Sequence, residues 1–220
     1  MLLAAFLPLF AVLAAAVALD SPGPVLYRCR RVGKEGREFD MLKFRKMRAD
    51  AKGLPLTVAN DARFTRIGGL LARTKLDELP QLWNVVRGEM SLVGPRPEDP
   101  SIVALRREEF ATVLTQTPGI TGLCQLAYAD ESKLLDADDR MAQYLDELLP
   151  RKLAIDALYA TGRTFAADLW ILAWTILAVV LRREVDVDPT LGTIAFRRPL
   201  AALPMPEAHL EPAASLEIVS

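Results

Sequence analysis

The sequence predicts an α+β protein that is predominantly helical, with one small β-hairpin and an apolar helix at the N-terminus. Three observations support this class. The first 19 residues carry no charge, two strand-like segments flank a glycine-containing turn at 33–36, and most later segments repeat apolar residues at helical spacing. A length of 220 residues corresponds to one domain, with or without attached segments. We divide the chain into an N-terminal helix at 1–22, a central domain at 23–182 and a flexible Pro/Ala-rich tail at 183–220.

The charge is balanced over the whole chain but unevenly distributed. The 27 Lys and Arg residues against 28 Asp and Glu residues give a formal net charge of −1, so no global field attracts nucleic acid. Residues 27–48 contain nine basic and three acidic residues, a local charge of +6. Residues 129–147 contain seven acidic and two basic residues, a local charge of −5.

Chemistry based on histidine or cysteine is largely excluded. The single histidine, His209, lies in the C-terminal tail, which leaves a Ser-His-Asp triad, a Cys-His dyad or a histidine metal site without an imidazole. Cys29 and Cys124 lack ligand-like spacing and are too few for a disulfide scaffold, which favours reduced thiols in a cytosol-facing protein. Catalysis would therefore use carboxylates, basic side chains and backbone groups.

The uncharged segment 1–19 is nearly long enough to cross a bilayer. As a helix with a rise of about 1.5 Å per residue it would extend about 28 Å, against about 30 Å for the hydrocarbon core. Pro8 interrupts it by removing a helical hydrogen bond. Three interpretations fit: a secretory signal ending near 16–18, a spanning helix, or a helix that enters one leaflet, bends near Pro8 and returns. The basic segment that follows favours the cytoplasmic face, because anionic head groups attract Lys and Arg.

The segments after the turn-forming cluster at 20–24 predict a hairpin and short helices. Residues 25–31 and 38–46 read as two strands. Residues 60–75 read as a loop followed by a short helix at 67–71. An amphipathic helix is predicted to begin near Asp77, because Leu79, Leu82, Trp83 and Val86 would share one face.

The next region is predicted to alternate irregular segments with helices. Residues 91–98 include two prolines and are expected to be extended, without regular structure. A helix is predicted over 100–114, followed by a turn at 118–122. Residues 136–160 read as helical, with a break at Pro150 and an acidic face in solvent.

The last apolar segment, 164–181, predicts a helix that packs in the core or lies at a membrane interface. Trp170 and Trp174 on one side favour the interface. Residues 190–220 show no periodicity and are predicted to be a mobile tail.

Asp77 and Glu78 are the main candidates for chemistry. In a structural role, Asp77 would cap the predicted helix and Glu78 would interact favourably with the helix dipole. The same position also offers unpaired N–H groups to a phosphate. There the two carboxylates would suit nucleophilic attack on phosphorus and binding of Mg²⁺, which takes oxygen ligands and shares them with substrate phosphates. The pattern alone leaves both interpretations open.

Three arginines close in sequence to this pair could neutralise charge on a transferred phosphoryl group: Arg73, Arg87 and Arg96. Arg96 lies between two prolines, which restrict its backbone and lower the entropy cost of directing its side chain. An ordinary surface turn is the alternative for this arginine.

A second basic cluster surrounds Phe44 and consists of Lys43, Arg45, Lys46 and Arg48. It fits a solvated hairpin face. Interleaving with an aromatic residue is also known from proteins that bind single-stranded nucleic acid, but the neutral net charge and the neighbouring apolar segment disfavour that function.

Six motifs occur in a set order: SPGPV at 21–25, RVGKEG at 31–36, KFRKM at 43–47, LDELPQLWNV at 76–85, MSLVGPRPE at 90–98 and PGITG at 118–122. Through them, residues 5–182 resemble the bacterial sugar transferase family, the small monotopic polyprenyl-phosphate phosphoglycosyl transferases. The LDELPQ and GPRPE strings, at their observed separation, are the most specific part of the resemblance.

The resemblance implies a membrane-bound enzyme that transfers a sugar-1-phosphate from a nucleotide diphosphate sugar to undecaprenyl phosphate. This reaction initiates the assembly of an exopolysaccharide, capsule, O-antigen or glycoprotein glycan. It implies two steps with Mg²⁺. The aspartate that matches Asp77 attacks the sugar-bearing phosphorus to form a covalent phosphosugar-enzyme, and the polyprenyl phosphate then attacks that intermediate. A nucleophile of this kind divides one difficult transfer into two easier ones.

The resemblance also assigns roles to other residues. Glu78 matches the second acid of the dyad, which helps to hold metal and phosphate, and Arg96 matches the arginine of the proline-rich loop, which is expected to contact phosphate. Substrate contacts are further implied for Lys43, Arg45, Arg73, Gln81 and Pro95.

The implied location is the cytoplasmic face of the bacterial inner membrane, with a re-entrant N-terminal helix broken at Pro8. The bilayer, undecaprenyl phosphate and the nucleotide diphosphate sugar are the expected partners. Nucleic acid is not expected, and a homodimer is left open. The sequence departs from the family pattern at Leu7, where serine is usual, and at Ala72, where arginine is usual and Arg73 is the nearest substitute. Because seven residues precede Pro8, the helix is expected to be N-terminally incomplete.

Two rival functions keep the same motifs. One is a catalytically idle membrane adaptor of the same fold. The other is a nucleotide-sugar hydrolase, in which water replaces the lipid acceptor.

Overall fold

The computed structural model describes residues 2–48, 50–51, 61–129, 131, 140–181, 185–188 and 193–196. These residues form helices and three two-stranded sheets, which confirms the predicted mixed class. The helices are α1 (Leu2–Asp20), α2 (Arg66–Thr74), α3 (Gln81–Val86), α4 (Pro100–Leu105), α5 (Leu123–Ala127), α6 (Arg140–Gln143), α7 (Leu149–Gly162) and α8 (Phe165–Leu181). The strands are β1 (Leu26–Val32), β2 (Glu38–Phe44), β3 (Ser91–Val93), β4 (Gly119–Thr121), β5 (Val185–Val187) and β6 (Ile194–Phe196).

The N-terminal helix α1 continues through Pro8, so the interruption predicted at this residue does not end the helix. One side of α1 packs through Val17 against Phe44 of β2 and Leu71 of α2. Among the described residues, no helix combines the length and the apolar character needed to cross a membrane.

The predicted hairpin is confirmed. Strands β1 and β2 pair antiparallel from Leu26↔Phe44 to Val32↔Glu38. A tight turn joins them, in which Glu35 and Gly36 adopt positive φ angles of 59° and 75°. The second strand ends at Phe44, two residues before the predicted boundary at 46.

The segment that carries Asp77 and Glu78 is a short 3₁₀ turn, Leu76–Glu78, between α2 and α3. The helix predicted at 67–71 is present as α2 and is longer than predicted, since it runs from Arg66 to Thr74. It ends because Lys75 adopts a left-handed conformation, with φ of 59°. The helix predicted to begin near Asp77 begins at Gln81, directly after Pro80.

Two predictions in the next region are wrong in part. Residues 91–98 and 118–122 were expected to be an irregular segment and a turn, yet they contribute β3 and β4, which pair in parallel as Ser91↔Gly119 and Val93↔Thr121. Glycine is required here by close backbone approach: a Cβ on Gly94 would lie 2.4 Å from the carbonyl oxygen of Thr117. This pairing fixes the start of the proline-rich loop.

The helix predicted over 100–114 is shorter than expected, since α4 ends at Leu105 and only a 3₁₀ turn forms later, at Val113–Thr115. Residues 140–162 are helical without a break. A π-helical turn, Tyr144–Leu148, joins α6 to α7, and Pro150 lies in the first turn of α7, where it is tolerated. The predicted break at Pro150 is therefore absent. Residues 136–139 of this prediction lie outside the described part.

The predicted apolar helix at 164–181 is present as α8, and Ile171 on one side of it is buried in a core cluster with α5 and α7. Beyond it, part of the segment predicted to be a tail is ordered. Strands β5 and β6 pair antiparallel from Val185↔Phe196 to Val187↔Ile194. Residues 197–220 lie outside the described part.

Candidate active site

Asp77 is a buried carboxylate without a hydrogen bond. The residue is 1% exposed, and in the described part of the chain neither side-chain oxygen accepts a hydrogen bond. Its one ion pair there is with Lys46, whose Nζ lies 3.2 Å from Oδ2. A helix-capping role is excluded, because α3 begins at Gln81 and its N-cap residue is Pro80, without a side-chain cap. The free oxygens leave Asp77 able to engage a ligand.

Glu78 forms a second, parallel ion pair. Its Oε1 accepts a hydrogen bond of 2.9 Å from Nζ of Lys43. Burial alone would raise the pKa of Glu78, but the positive charges of Lys43, Arg96 and Lys75 outweigh it and lower the pKa to about 2. Burial, with Arg96 and Lys46 nearby, lowers the pKa of Lys43. Glu78 therefore stays ionised across the physiological range.

Arg96 faces the same group of charges from the proline-rich loop. Although burial acts in the opposite direction, the carboxylates of Glu78, Glu131 and Glu98 raise the pKa of its guanidinium. Hydrogen bonds on both sides of Arg96 hold the backbone of this loop, two of them next to the arginine. The amide of Gly119 donates to the carbonyl of Pro95 at 2.9 Å, and the amide of Arg96 donates to Oδ2 of Asp156 at 3.4 Å.

A buried polar network connects this loop to the helical segment 140–162. The hydroxyl of Tyr144 donates to Oε2 of Glu98. The ammonium of Lys152 donates to the Tyr144 hydroxyl at 3.0 Å and to Oε2 of Glu131 at 2.9 Å. Tyr144 lies in the π-helical turn, a distortion that often accompanies functional sites. The network ties the loop that carries Arg96 to α7.

Sequence reasoning missed this network and one further contact. Lys46 was seen only as part of a basic cluster, and its pairing with Asp77 depends on how the hairpin packs against the turn at 76–78. Lys152 and Asp156 are one helical turn apart on α7, on the face that packs inward. In the sequence, two ionisable residues at that spacing among apolar neighbours could have indicated a buried polar network.

Of the residues predicted from the sequence, the structure brings Asp77, Glu78, Lys43 and Arg96 together. Gln81 and Pro95 are buried beside them, at the start of α3 and of the proline-rich loop. Arg73 is exposed in the last turn of α2 and, within the described residues, pairs with neither acid. Arg87 pairs instead with Glu89, at 3.2 Å.

Arg45 differs from the expectation of substrate binding. Its side chain is 5% exposed and points away from the dyad, toward the end of α1. There it donates hydrogen bonds to main-chain carbonyls, including Pro22 at 3.0 Å and Ser21 at 2.5 Å.

The two acids fit Mg²⁺ as partial ligands only. The described residues hold no cluster of three or more acidic, histidine or cysteine side chains that could bind a metal. Mg²⁺ is commonly held by one or two carboxylates together with water and substrate phosphates. The unbonded oxygens of Asp77, next to Glu78, match that arrangement.

Two carboxylates and at least three cations thus meet at one place. The cations can bind the negative oxygens of a diphosphate, and the buried carboxylate lacks the hydrogen bonds that would weaken it as a nucleophile. This combination suits transfer of a phosphoryl group.

Several known proteins have sequences similar to this chain. The model of the bacterial sugar transferase family matches residues 1–182. An undecaprenyl-phosphate glucose phosphotransferase of Komagataeibacter xylinus is 38% identical over 193 residues, which are 84% of this chain and 34% of the relative. An exopolysaccharide production protein, PSS, of Rhizobium leguminosarum bv. phaseoli is 38% identical over 191 residues, covering 83% of this chain and 89% of the relative.

A third relative, from Aeromonas hydrophila, is a UDP-N-acetylgalactosamine-undecaprenyl-phosphate N-acetylgalactosaminephosphotransferase. It is 38% identical over 139 residues, which are 61% of this chain and 32% of the relative. The chain therefore spans about a third of the length of two of these relatives and most of the length of the other. With the family model matching residues 1–182, the chain belongs to the bacterial sugar transferase family.

Proposed function

We propose that this protein transfers a sugar-1-phosphate from a nucleotide diphosphate sugar to undecaprenyl phosphate. The observation that carries the proposal is the buried, unbonded carboxylate of Asp77 beside the Lys43–Glu78 pair. Relatives named for this reaction act with glucose in one case and N-acetylgalactosamine in another, so the sugar is left to experiment.

The reaction proceeds in two displacements at phosphorus. An oxygen of Asp77 attacks the phosphorus that bears the sugar, the bond from that phosphorus to the bridging oxygen breaks, and the nucleoside monophosphate leaves. A phosphate oxygen of the lipid then attacks the same phosphorus. The bond to Asp77 breaks, which frees the carboxylate and releases the lipid-linked diphosphate sugar.

The surrounding charges support both steps. Lys46 pairs with Asp77 at the start and can move to the phosphate once the carboxylate becomes an acyl phosphate, because its Nζ lies only 3.2 Å from Oδ2. Arg96 and Lys43 neutralise charge on the diphosphate and on the leaving phosphate. Mg²⁺ bound by Asp77, Glu78 and the substrate would add further charge neutralisation.

The lipid acceptor determines where in the cell the reaction must take place. Its phosphate lies at the membrane surface while its chain remains in lipid, so the site must work at that surface. We place the protein on the cytoplasmic face of the inner membrane, with α1 in the bilayer, because the basic segment 27–48 begins seven residues after the end of α1.

The test follows release of nucleoside monophosphate by the full chain in detergent with Mg²⁺, undecaprenyl phosphate and a panel of UDP- and GDP-sugars. The wild type is expected to release product only with the lipid present and from one or few donors. Asp77→Asn is expected to abolish release, while Arg87→Gln, which alters an exposed arginine paired with Glu89, serves as the matched control.

A second measurement tests the covalent step. Incubation with donor but without lipid is followed by mass spectrometry of the peptide that contains Asp77. A mass increase equal to one sugar phosphate, absent in Asp77→Asn, is expected. Steady release of monophosphate without lipid would instead identify a hydrolase, and no release from any donor would favour a catalytically idle adaptor.

A further inference from the structure

Residues 43–46 contact two different parts of the molecule. Lys43 and Lys46 pair with Glu78 and Asp77. The two residues between them turn to the other side: Phe44 packs against Phe10 of α1, with ring centroids 5.7 Å apart, and Arg45 bonds to the end of the same helix. A shift of α1 relative to this segment would therefore move both lysines.

Arg45 forms hydrogen bonds to the last turn of α1 and to the two residues that follow this helix. Nη1 donates to the carbonyl of Pro22 at 3.0 Å, and Nη2 donates to the carbonyl of Val17 at 3.4 Å and to the carbonyl and Oγ of Ser21 at 2.5 and 3.0 Å. The last carbonyls of a helix have no partners within the helix and carry partial negative charge, so a buried guanidinium satisfies them well.

A second contact joins the end of α1 to the other half of the site. Oδ2 of Asp20 accepts a hydrogen bond of 3.0 Å from the amide of Ile67 in the first turn of α2. Helix α2 leads through Lys75 into the turn that carries Asp77 and Glu78. The segment 43–46, which carries the two lysines, and helix α2, which precedes the two acids, are thus both attached to the last turn of α1.

We infer that Arg45 is a positioning residue that fixes the end of α1 to residues 43–46, so that the position of α1 sets the distance between the two lysines and the acidic dyad. The inference rests on the proposed function for its kinetic readout. Arg45 itself does not touch substrate, because its guanidinium is directed to main-chain carbonyls of α1 and the loop that follows.

The kinetic test compares Arg45→Met, Arg45→Lys and Asp20→Ala with wild type, using the full chain in nanodiscs with undecaprenyl phosphate. A positioning role predicts that Arg45→Met lowers kcat by about 10- to 100-fold, because small displacements of reacting groups have effects of that size. The KM for the nucleotide sugar should change by less than about twofold. Arg45→Lys should recover part of the loss, and Asp20→Ala should lower kcat to a smaller extent.

The matched control is Arg30→Met, on the same hairpin. Arg30 is exposed and, within the described part of the chain, forms its ion pairs across the hairpin with Glu38 and Asp40, so this variant should behave as wild type. A raised KM with unchanged kcat in Arg45→Met would overturn the inference and would return Arg45 to a substrate-binding role. If Arg45→Met does not fold, Arg45→Lys and Asp20→Ala decide the question by the same split between kcat and KM.

Hydrogen exchange separates this inference from the proposed function. Amide exchange at 43–48 and 76–78, measured by mass spectrometry without substrate, should be faster in Arg45→Met than in Arg30→Met. If the wild type shows no transferase activity, the proposed function fails while this measurement still tests the coupling. Equal exchange in the two variants would show that Arg45 does not hold the site together.

Discussion

A carboxylate that is buried without hydrogen bonds lowers the free energy of unfolding, because it loses its contacts with water and gains no hydrogen bonds in return. Among the described residues Asp77 is such a group, and its one ion pair there is with Lys46, which is partly exposed. A residue kept only for stability at this position would be expected to cap a helix or to be apolar. The arrangement is more easily understood as stability given up for a reactive oxygen.

The pairing of Lys46 with Asp77 can be measured by a double-mutant cycle. Lys46→Met leaves the buried carboxylate without its counter-charge. Because Lys46 is 25% exposed, we expect a loss of about 1–3 kcal/mol in the free energy of unfolding, below the value for a fully buried pair. In the background of Asp77→Asn, the same change should cost less than about 0.5 kcal/mol, since residue 77 then carries no charge for Lys46 to compensate.

Thermal unfolding in detergent gives the four stabilities of that cycle. Lys34→Met, in the exposed hairpin turn, is the control for loss of a lysine as such. Additive effects of the two substitutions would show that the ion pair contributes nothing to stability.

Asp156 predicts a pH dependence of stability. Burial raises its pKa from 3.8 to about 7, although the amide of Arg96 and the charges of Lys152 and Arg96 act in the opposite direction. Glu98, from the proline-rich loop, raises it further, and the buried thiol of Cys124 on α5 lies close enough to interact with it electrostatically. The folded protein therefore holds this proton more tightly than the unfolded chain does.

The direction of the pH dependence follows from this difference in proton affinity between the folded and the unfolded protein. The contribution of the protonated carboxyl to stability is complete below about pH 4 and is lost as the pH rises through about 7. Wild-type Tm should therefore fall between pH 6 and pH 8 relative to that of Asp156→Asn, which has no proton to lose. Parallel Tm curves for the two proteins over this range would exclude Asp156 as the titrating group.

At the scale of secondary-structure elements, local signals were readable from the sequence and long-range pairings were not. The β1–β2 hairpin was predicted because its turn and both strands are contiguous. Strands β3 and β4 were missed because each has three residues and their partners are 28 positions apart, next to prolines that suggest irregular structure. For the same reason the dyad could be identified from its motif, whereas Lys46, Arg45 and the network around Lys152 required the tertiary packing.

The contact between α2 and Lys46, which pairs with Asp77, can be tested by substitutions at two adjacent glycines of α2. A Cβ on Gly68 would lie 1.9 Å from the carbonyl oxygen of Lys46, whereas a Cβ on Gly69 would meet nothing within 4 Å. Gly68→Ala should push α2 away from Lys46, lower stability by about 1–3 kcal/mol and reduce kcat. Gly69→Ala should raise stability by about 0.5–1 kcal/mol, because alanine favours helix more than glycine does.

Both variants add one methyl group to the same helix, so Tm and monophosphate release can be compared directly. Retention of full activity by Gly68→Ala would mean that the distance between α2 and the backbone of Lys46 does not affect catalysis.

On the scale of the whole molecule, α8 presents an apolar surface that no described part of the protein covers. Ile171 packs inward against α5 and α7. The opposite side of the helix exposes apolar residues at spacings of three and four: Ala166, Leu169, Trp170, Ala173, Ile176, Leu177 and Val180. A continuous exposed apolar face of this kind is typical of contact with lipid or with another protein.

The interfacial placement predicted for α8 can be tested with a fluorescent label that reports lipid contact. Val180 and Leu105 are matched positions, 71% and 70% exposed, on α8 and α4. Each is replaced by cysteine in a Cys29→Ser background. The remaining cysteine, Cys124, should not react, because burial raises the pKa of its thiol well above the usual value.

In vesicles that contain nitroxide-labelled lipid, we expect strong quenching and a blue-shifted emission from the label at 180, because the exposed face of α8 would lie among the head groups and acyl chains. The label at 105 should remain in water and be quenched little. Equal quenching at the two positions would contradict the interfacial placement of α8. In that case the apolar face of α8 would need a protein partner.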